Sequence, residues 1–249
     1  MPNSPIQVID RAVCILDAMS RYNRPVSLKY LAADTGLHPS TAFRILSSLI
    51  THKLVERHSS GDYQLGTRLL SWGDRVHSRL DIRNEARPIM EKLRDQVGET
   101  VNLTIRDRDE VVYVERVTSR QAIRVEQVIG SRAPLHVTAV GKLMLGEAGK
   151  AACHEYIQNS GLTEFTRNTL TDEQALLKEI EEAQQNGYAL DNEEAEIGVG
   201  CIGVVVRDST HAVVAGLSIS APIERRKPEW VEFIKQAGQQ LSERLGYRQ

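Results

Sequence analysis

Three cysteines (Cys14, Cys153, Cys201) and seven histidines are the residues of this 249-residue chain best suited to covalent or metal chemistry. A cysteine nucleophile needs a base that lowers its pKa, because the thiolate is the reactive form. His154 stands beside Cys153, but in an ordinary helical stretch. Cys201 has Asp191 as a candidate partner, and Asp191 reads equally well as a surface turn residue. No histidine or cysteine falls at metal-ligating spacing, so no metal, no cofactor and no enzyme chemistry is expected. Gly198-Val199-Gly200-Cys201-Ile202-Gly203 satisfies G-x-G-x-x-G, yet that motif needs a strand before it and a helix after it. Here Val204-Val205-Val206 continues as a strand, so the glycines are read as room for a close backbone approach to a ligand or another strand. Gly141-Lys142 lacks the upstream glycine and the Ser or Thr of a phosphate loop.

A second kind of chemistry, reading of nucleic acid, is carried by Ser27–His52. Leu28, Leu31 and Ala32 share one face of a short helix that Ser27 can cap and Gly36 can end. Pro39 and Ser40 start a second helix that buries Ala42, Ile45, Leu46 and Leu49 and leaves Ser40, Thr41, Arg44 and Ser48 outward. This is the pattern of a helix-turn-helix, whose second helix enters the major groove. His52–Arg57 and Tyr63–Leu65, joined through Gly61-Asp62, read as a hairpin wing. Arg44 can grip guanine O6 and N7 with two donors, or else contact phosphate. Ser40 and Thr41 suit phosphate at a helix N-terminus, or simple capping. Arg57 and His58 on the wing can reach the DNA backbone or minor groove, or serve as surface charge. With Ser27, His38 and Pro39 at the helix starts, these are the candidate DNA-contacting residues.

The elements that position these groups suggest two domains. A composition of 41% hydrophobic and 26% charged residues excludes a disordered or fibrous chain. Residues 1–80 hold ten Lys and Arg against six Asp and Glu, a balance of +4 that leaves −6 for the rest of a chain whose total is −2. Positive charge gathered at the helix-turn-helix end fits attraction to phosphate there. Residues 1–66 are assigned to an N-terminal winged helix-turn-helix domain, opening with an amphipathic helix over Gln7–Arg21 that uses Val8, Ile9, Ala12, Ile15, Leu16 and Met19. Residues 67–80 read as a linker helix that also helps dimerise, and 81–249 as an α+β sensor domain. In the latter, strands are expected over 100–106, 110–117, 124–129, 188–191, 202–207 and 213–220. Helices are expected over 81–97, 138–145, 150–159, 171–186 (with Thr171 and Gln174 as a capping box) and 228–245. No secretory leader and no apolar run long enough for a bilayer is seen, and three cysteines complete no disulfide set, which reads as a cytoplasmic protein with reduced thiols.

The layout resembles the IclR family of bacterial transcriptional regulators over nearly the whole chain. The likeness rests on V-I-D-R-A-V-C-I-L-D-A-M at 8–19 and the helix-turn-helix segment. It continues through P-L-H-V-T-A-V-G-K at 134–142, G-Y-A-L-D-N-E-E at 187–194, G-V-G-C-I-G-V-V-V at 198–206 and L-S-I-S-A-P at 217–222. The resemblance implies a GAF-like α/β effector-binding domain, and homodimers or homotetramers on palindromic double-stranded operators. It also implies a small effector, a short keto or hydroxy carboxylate or an aromatic acid. It places a loop at Ala139-Val140 whose N–H groups meet a carboxylate, and Asp191, Cys201, Ser218 and Ser220 at the polar end. Ala122, Val125, Ala133 and Val199 fall on the apolar wall. The family often has Gly-Ala where this chain has Ala139-Val140, which narrows the loop, while the small wall residues suit a ligand bulkier than a two-carbon acid. An enzyme fused to a DNA-binding domain, turning over its ligand through Cys201, and a winged helix that recognises protein remain the alternatives at this point.

Overall fold

The computed structural model describes residues 6–77 and 81–248, and the chain divides into two compact units, Met1–Arg79 and Leu80–Gln249. Among the described residues, no helix is long and apolar enough to cross a membrane. The first unit contains α1 (Gln7–Ser20), α2 (Leu28–Asp34), α3 (Pro39–Thr51), a hairpin of β1 (Val55–Arg57) and β2 (Tyr63–Leu65), and α4 (Arg68–His77). Ser27 caps α2 by accepting from the Tyr30 amide at 3.3 Å, and Gly36 turns the chain at φ +64°, a conformation only glycine adopts without strain. Ile15, Leu31, Ala42, Leu46 and Leu49 close the core beneath the hairpin. α1 buries Ile15, Ala18 and Met19 but leaves Val8 at 59% and Ile9 at 56% exposed. Its N-terminal half therefore lacks the packing its periodicity predicts. Of the 67–80 stretch read as a linker helix, Arg68–His77 is helical (α4) and falls inside the first unit; residues 78–80 lie outside the described residues. Leu70 and Trp72 of α4 are exposed.

The second unit is built on a six-stranded antiparallel sheet in the order β5-β4-β3-β8-β7-β6. Its strands are β3 (Thr100–Asp107), β4 (Glu110–Val117), β5 (Arg132–Pro134), β6 (Ala189–Asn192), β7 (Val199–Arg207) and β8 (Val213–Pro222). One face carries Val101, Leu103, Ile202, Val204, Leu217 and Ile219 and packs on α5 (Ile82–Val97) and α9 (Trp230–Arg244). The other face, set by the same two-residue alternation, carries a polar row. Asn102 pairs with Ser218 and Ser218 with Gly203; Thr100 pairs with Ser220, Ser220 with Cys201, and Cys201 with Asp191. Over this face lie α6 (Ala139–Ala148), α7 (Lys150–Ser160) and α8 (Glu173–Asn186).

Two expectations are corrected. Residues 124–129 form no strand; the strand on the outer side of β4 is β5, with Val111 opposite Ala133. Residues 124–129 are held irregularly instead, the Thr100 hydroxyl donating to the Val125 carbonyl at 2.7 Å. Asp172, not Thr171, caps α8, accepting from the Ala175 amide at 2.8 Å, because the helix starts at Glu173 and Asp172, directly before it, is the residue placed to reach the first orphan amides.

The first turn of α6 lies unusually close to the sheet. A Cβ on Gly203 would stand 2.8 Å from Val140 Cγ1 and 3.0 Å from the Val140 nitrogen, and one on Gly216 would stand 2.6 Å from Val140 Cβ. The glycines of the 198–203 run are thus partly explained as the close approach that the sequence reading anticipates. Gly203→Ala is expected to destabilise the second unit by ~1–3 kcal/mol through overpacking. Adding Val140→Ala, which removes the opposing methyls, restores part of the loss; urea unfolding of the single and double variants measures both.

Candidate functional site

Thr138, a single extended residue after the 3-10 turn Leu135–Val137, caps α6, its hydroxyl accepting from the Gly141 amide at 3.1 Å. The Ala139 and Val140 amides, in the helix's first turn, have no intrahelical acceptor. They line a cavity of about 210 Å3 together with Tyr113, Phe165, Asp191 and Cys201. That volume is below the roughly 300–1,000 Å3 of sites for drug-sized ligands and suits a small molecule. Free N–H groups at a helix N-terminus, reinforced by the helix dipole, favour an anion.

Asp191 is 3% exposed. Burial raises its pKa from 3.8 to about 6 and the nearby Glu194 charge adds to the rise; a hydrogen bond from the Glu194 amide opposes it, at 2.8 Å to Oδ1. Lys142, wholly buried, donates to Glu194 at 2.7 and 3.0 Å and to Glu179 at 3.3 Å. This lysine, which the phosphate-loop reading rejects, instead ties α6 to the chain after β6. Burial, and then the charge of Asp191, push the Cys201 thiol well above its usual value, so it stays protonated and makes a poor nucleophile. Its Sγ lies 3.2 Å from Ser220 Oγ, which accepts from Asn102 Nδ2 at 3.0 Å.

His136 sits beneath the cavity wall, 1% exposed. Its Nε2 donates to the Thr163 carbonyl at 3.1 Å, which leaves Nδ1 to accept from the Tyr156 hydroxyl at 2.6 Å. Burial lowers its pKa, consistent with that neutral tautomer. The Phe165 ring lies tilted against His136, centroids 6.3 Å apart, and lines the cavity.

Of the residues expected at an effector site, Ala133, Ala139, Val140, Asp191, Val199, Cys201 and Ser218 line the cavity. Ser220 lies behind Cys201. Ala122 and Val125 do not line it: Ala122 is exposed, and Val125 lies in the 124–129 segment, which is not the expected strand. Ala139 and Val140 belong to a helix's first turn rather than a loop. Tyr113, Thr138 and Phe165 were not anticipated. A shift of register between Leu103 and Thr104 brings Tyr113 opposite Thr104; Phe165 lies outside any periodic element and carries no local signal.

In the first unit, His38 is the cap of α3, its Nδ1 3.4 Å from the Ser40 amide and 2.8 Å from the Ser40 hydroxyl. Pro39 opens the helix. Ser40 and Arg44 are exposed and Thr41 is half-buried. Arg44 has no hydrogen-bond or ion-pair partner among the described residues. On the wing, Arg57 donates to the Gly61 carbonyl at 3.2 Å and stacks over Tyr63, while His58 Nδ1 lies 3.1 Å from the Ser60 hydroxyl. Both stay exposed.

A winged helix-turn-helix followed by a curled antiparallel sheet enclosing a small cavity defines a DNA-binding regulator carrying a ligand-sensing unit. Residues 8–59 match the IclR helix-turn-helix domain, and residues 74–243 match the C-terminal domain of the bacterial transcriptional regulator IclR; the chain belongs to the IclR family. It is 33% identical over 247 residues to the HTH-type transcriptional regulator XynR of Escherichia coli K12, covering 97% of this chain and 98% of that one. The repressor BlcR of Agobacterium tumefaciens has a similar structure: TM-score 0.79, 28% identity, 98% of this chain and 99% of the other. An IclR homologue of Microbacterium hydrocarbonoxydans, complexed with 4-hydroxybenzoate, matches at TM-score 0.63 and 25% identity over 96% of this chain and 98% of that one. These relatives are transcriptional regulators, not enzymes.

Asp191 titrates higher in the folded chain than in the unfolded one, so its contribution to stability is full below pH 4 and is lost as pH rises through about 6. Asp191→Asn is expected to remove that dependence. The stability difference between variant and wild type should move by about 2 kcal/mol in the variant's favour between pH 4 and pH 7, read from denaturant unfolding across that range.

Proposed function

We propose that this chain is an effector-responsive transcriptional repressor of catabolic genes, acting in the cytoplasm as a homodimer or homotetramer on a palindromic operator. In this reading α3 enters the major groove, Arg44 reads a guanine, and His38, Pro39, Ser40 and Thr41 meet phosphate at the helix start. Ser27, Arg57 and His58 flank that contact. The paired units read two half-sites, as twofold symmetry requires. A small carboxylate, a keto or hydroxy acid or an aromatic acid, occupies the cavity of the second unit. The observation that carries the ligand class is the pair of unpartnered amides at Ala139 and Val140, opening on a cavity with polar groups at one end and Tyr113, Phe165 and Val199 elsewhere. The repressor assignment draws support from BlcR, and the acid class from the 4-hydroxybenzoate complex of the Microbacterium homologue. For the ligand to regulate, it must bind the DNA-competent and DNA-incompetent conformations with unequal affinity.

Selection of host genomic fragments with the full chain, followed by gel shift, tests the DNA half. A discrete set of promoter fragments is expected, and Arg44→Ala should abolish specific retention while thermal unfolding is unchanged. Retention of the same fragments by Arg44→Ala overturns its assigned role.

The ligand half is tested by thermal shift with pyruvate, glycolate and 4-hydroxybenzoate. At a hundredfold excess over Kd the binder stabilises by about 2.7 kcal/mol. Affinity for the acid rises as pH falls from 8 toward 6, because protonation of Asp191 removes a like charge from the cavity. Stabilisation by neutral analogues alone sinks the acid reading.

A further inference from the structure

α3 presents an outward strip that its sequence disguises. With successive residues about 100° apart around the axis, Ser40, Phe43, Arg44 and Ser47 share one arc of about 100°, opposite the buried Ala42, Ile45, Leu46 and Leu49. Phe43 is 48% exposed, a large aromatic at one edge of an otherwise polar strip whose other edge is Arg44. Two hydroxyls of that strip are already engaged: Ser40 with His38 at 2.8 Å, and Ser47 donating to the Phe43 carbonyl at 2.8 Å. The side chains left for an external partner are Phe43 and Arg44. They project from a unit whose residues carry a balance of +4, which complements a polyanion rather than an apolar protein surface.

We infer that Phe43 is a sequence-reading residue, packing on the C5-methyl group of a thymine in the major groove beside the guanine that Arg44 reads. The thymine methyl is the one apolar feature of the major-groove edge, and aromatic or aliphatic side chains recognise it by contact. Phe43 and Arg44 stand about 1.5 Å apart along the helix axis and about 100° apart around it, so their side chains leave the outward strip at different angles and reach the edges of neighbouring base pairs rather than of one. The inference rests on the helix-turn-helix reading above and assigns a second base to the half-site.

The probe is a duplex recovered by the genomic selection, in which each thymine in turn is replaced by deoxyuridine, which lacks only the methyl. With wild-type full-length chain, one thymine per half-site, within one base-pair step of the Arg44 guanine, should weaken binding about fourfold when replaced, the value of one buried methylene. Phe43→Ala should bind thymine and uracil duplexes alike, and Phe43→Leu should keep the discrimination. A flat deoxyuridine scan, or discrimination that persists in Phe43→Ala, overturns the inference. So does a change of oligomeric state in Phe43→Ala with the discrimination intact, which makes the ring a contact between copies. If Phe43→Ala fails to fold, photocross-linking of wild type to a duplex with 5-bromodeoxyuridine at the sensitive position decides: attachment at Phe43 supports the inference and attachment elsewhere overturns it. Loss of specific binding in Arg44→Ala together with a flat scan removes Phe43 alone; unchanged binding in Arg44→Ala removes only the role of Arg44, and a wild-type chain that retains no specific fragment removes the parent reading.

Discussion

The close seating of one helix turn on a sheet governs the sensing unit. Gly203 and Gly216 leave a hollow into which Val140 fits, with no room for a Cβ at either position. Only with that turn so deep do the Ala139 and Val140 amides face the same cavity as Asp191, Cys201 and Ser218. Sheets usually meet helices through side chains of both partners. Here the strands contribute absence of side chain, and the gain is backbone polarity delivered to the edge of a polar row. The opposite sheet face, apolar and covered by α5 and α9, carries the burial that holds the unit together.

Charge is handled in contrary ways in the two units. In the second, Lys142 and Glu194 are taken almost fully from water. Such a pair is a poor source of net stability, yet removal of either partner strands the other. Its effect is positional: it ties α6 to the turn after β6, where Asp191 accepts from the Glu194 amide. The carboxyl that faces the cavity is therefore held by the same ion pair that anchors the helix whose amides face it. In the first unit, Arg44 is exposed on its helix and has no ion-pair partner among the described residues, which suits a partner that supplies the counter-charge.

Much was legible from residues in order. The two helices of the helix-turn-helix follow from apolar residues at helical spacing, with Ser27 and Gly36 as local stop and start signals. The wing follows from Gly61 between two short strands, and α5, α9, β3 and β4 follow from period alone. These features depend on neighbours within a few residues, which sequence states directly. The motif at 134–142 placed Ala139 and Val140 at the cavity, although as a loop.

What eluded the sequence depended on partners distant along the chain. The 124–129 segment has strand-like composition, but an edge position was already filled by β5. Tyr113 faces the cavity because of a register shift with β3, and Phe165 because a buried histidine holds its segment. Phe43 is apolar by type, yet its spacing sets it opposite Ala42, Ile45, Leu46 and Leu49, and α1 and α2 pack on that buried side and leave the ring in water. Local spacing thus determined which elements form and which face of each is apolar. The tertiary structure decided which polar groups converge and which apolar ones stay in water, because convergence is set by sheet register and by space between elements, neither of which is written in any short stretch of chain.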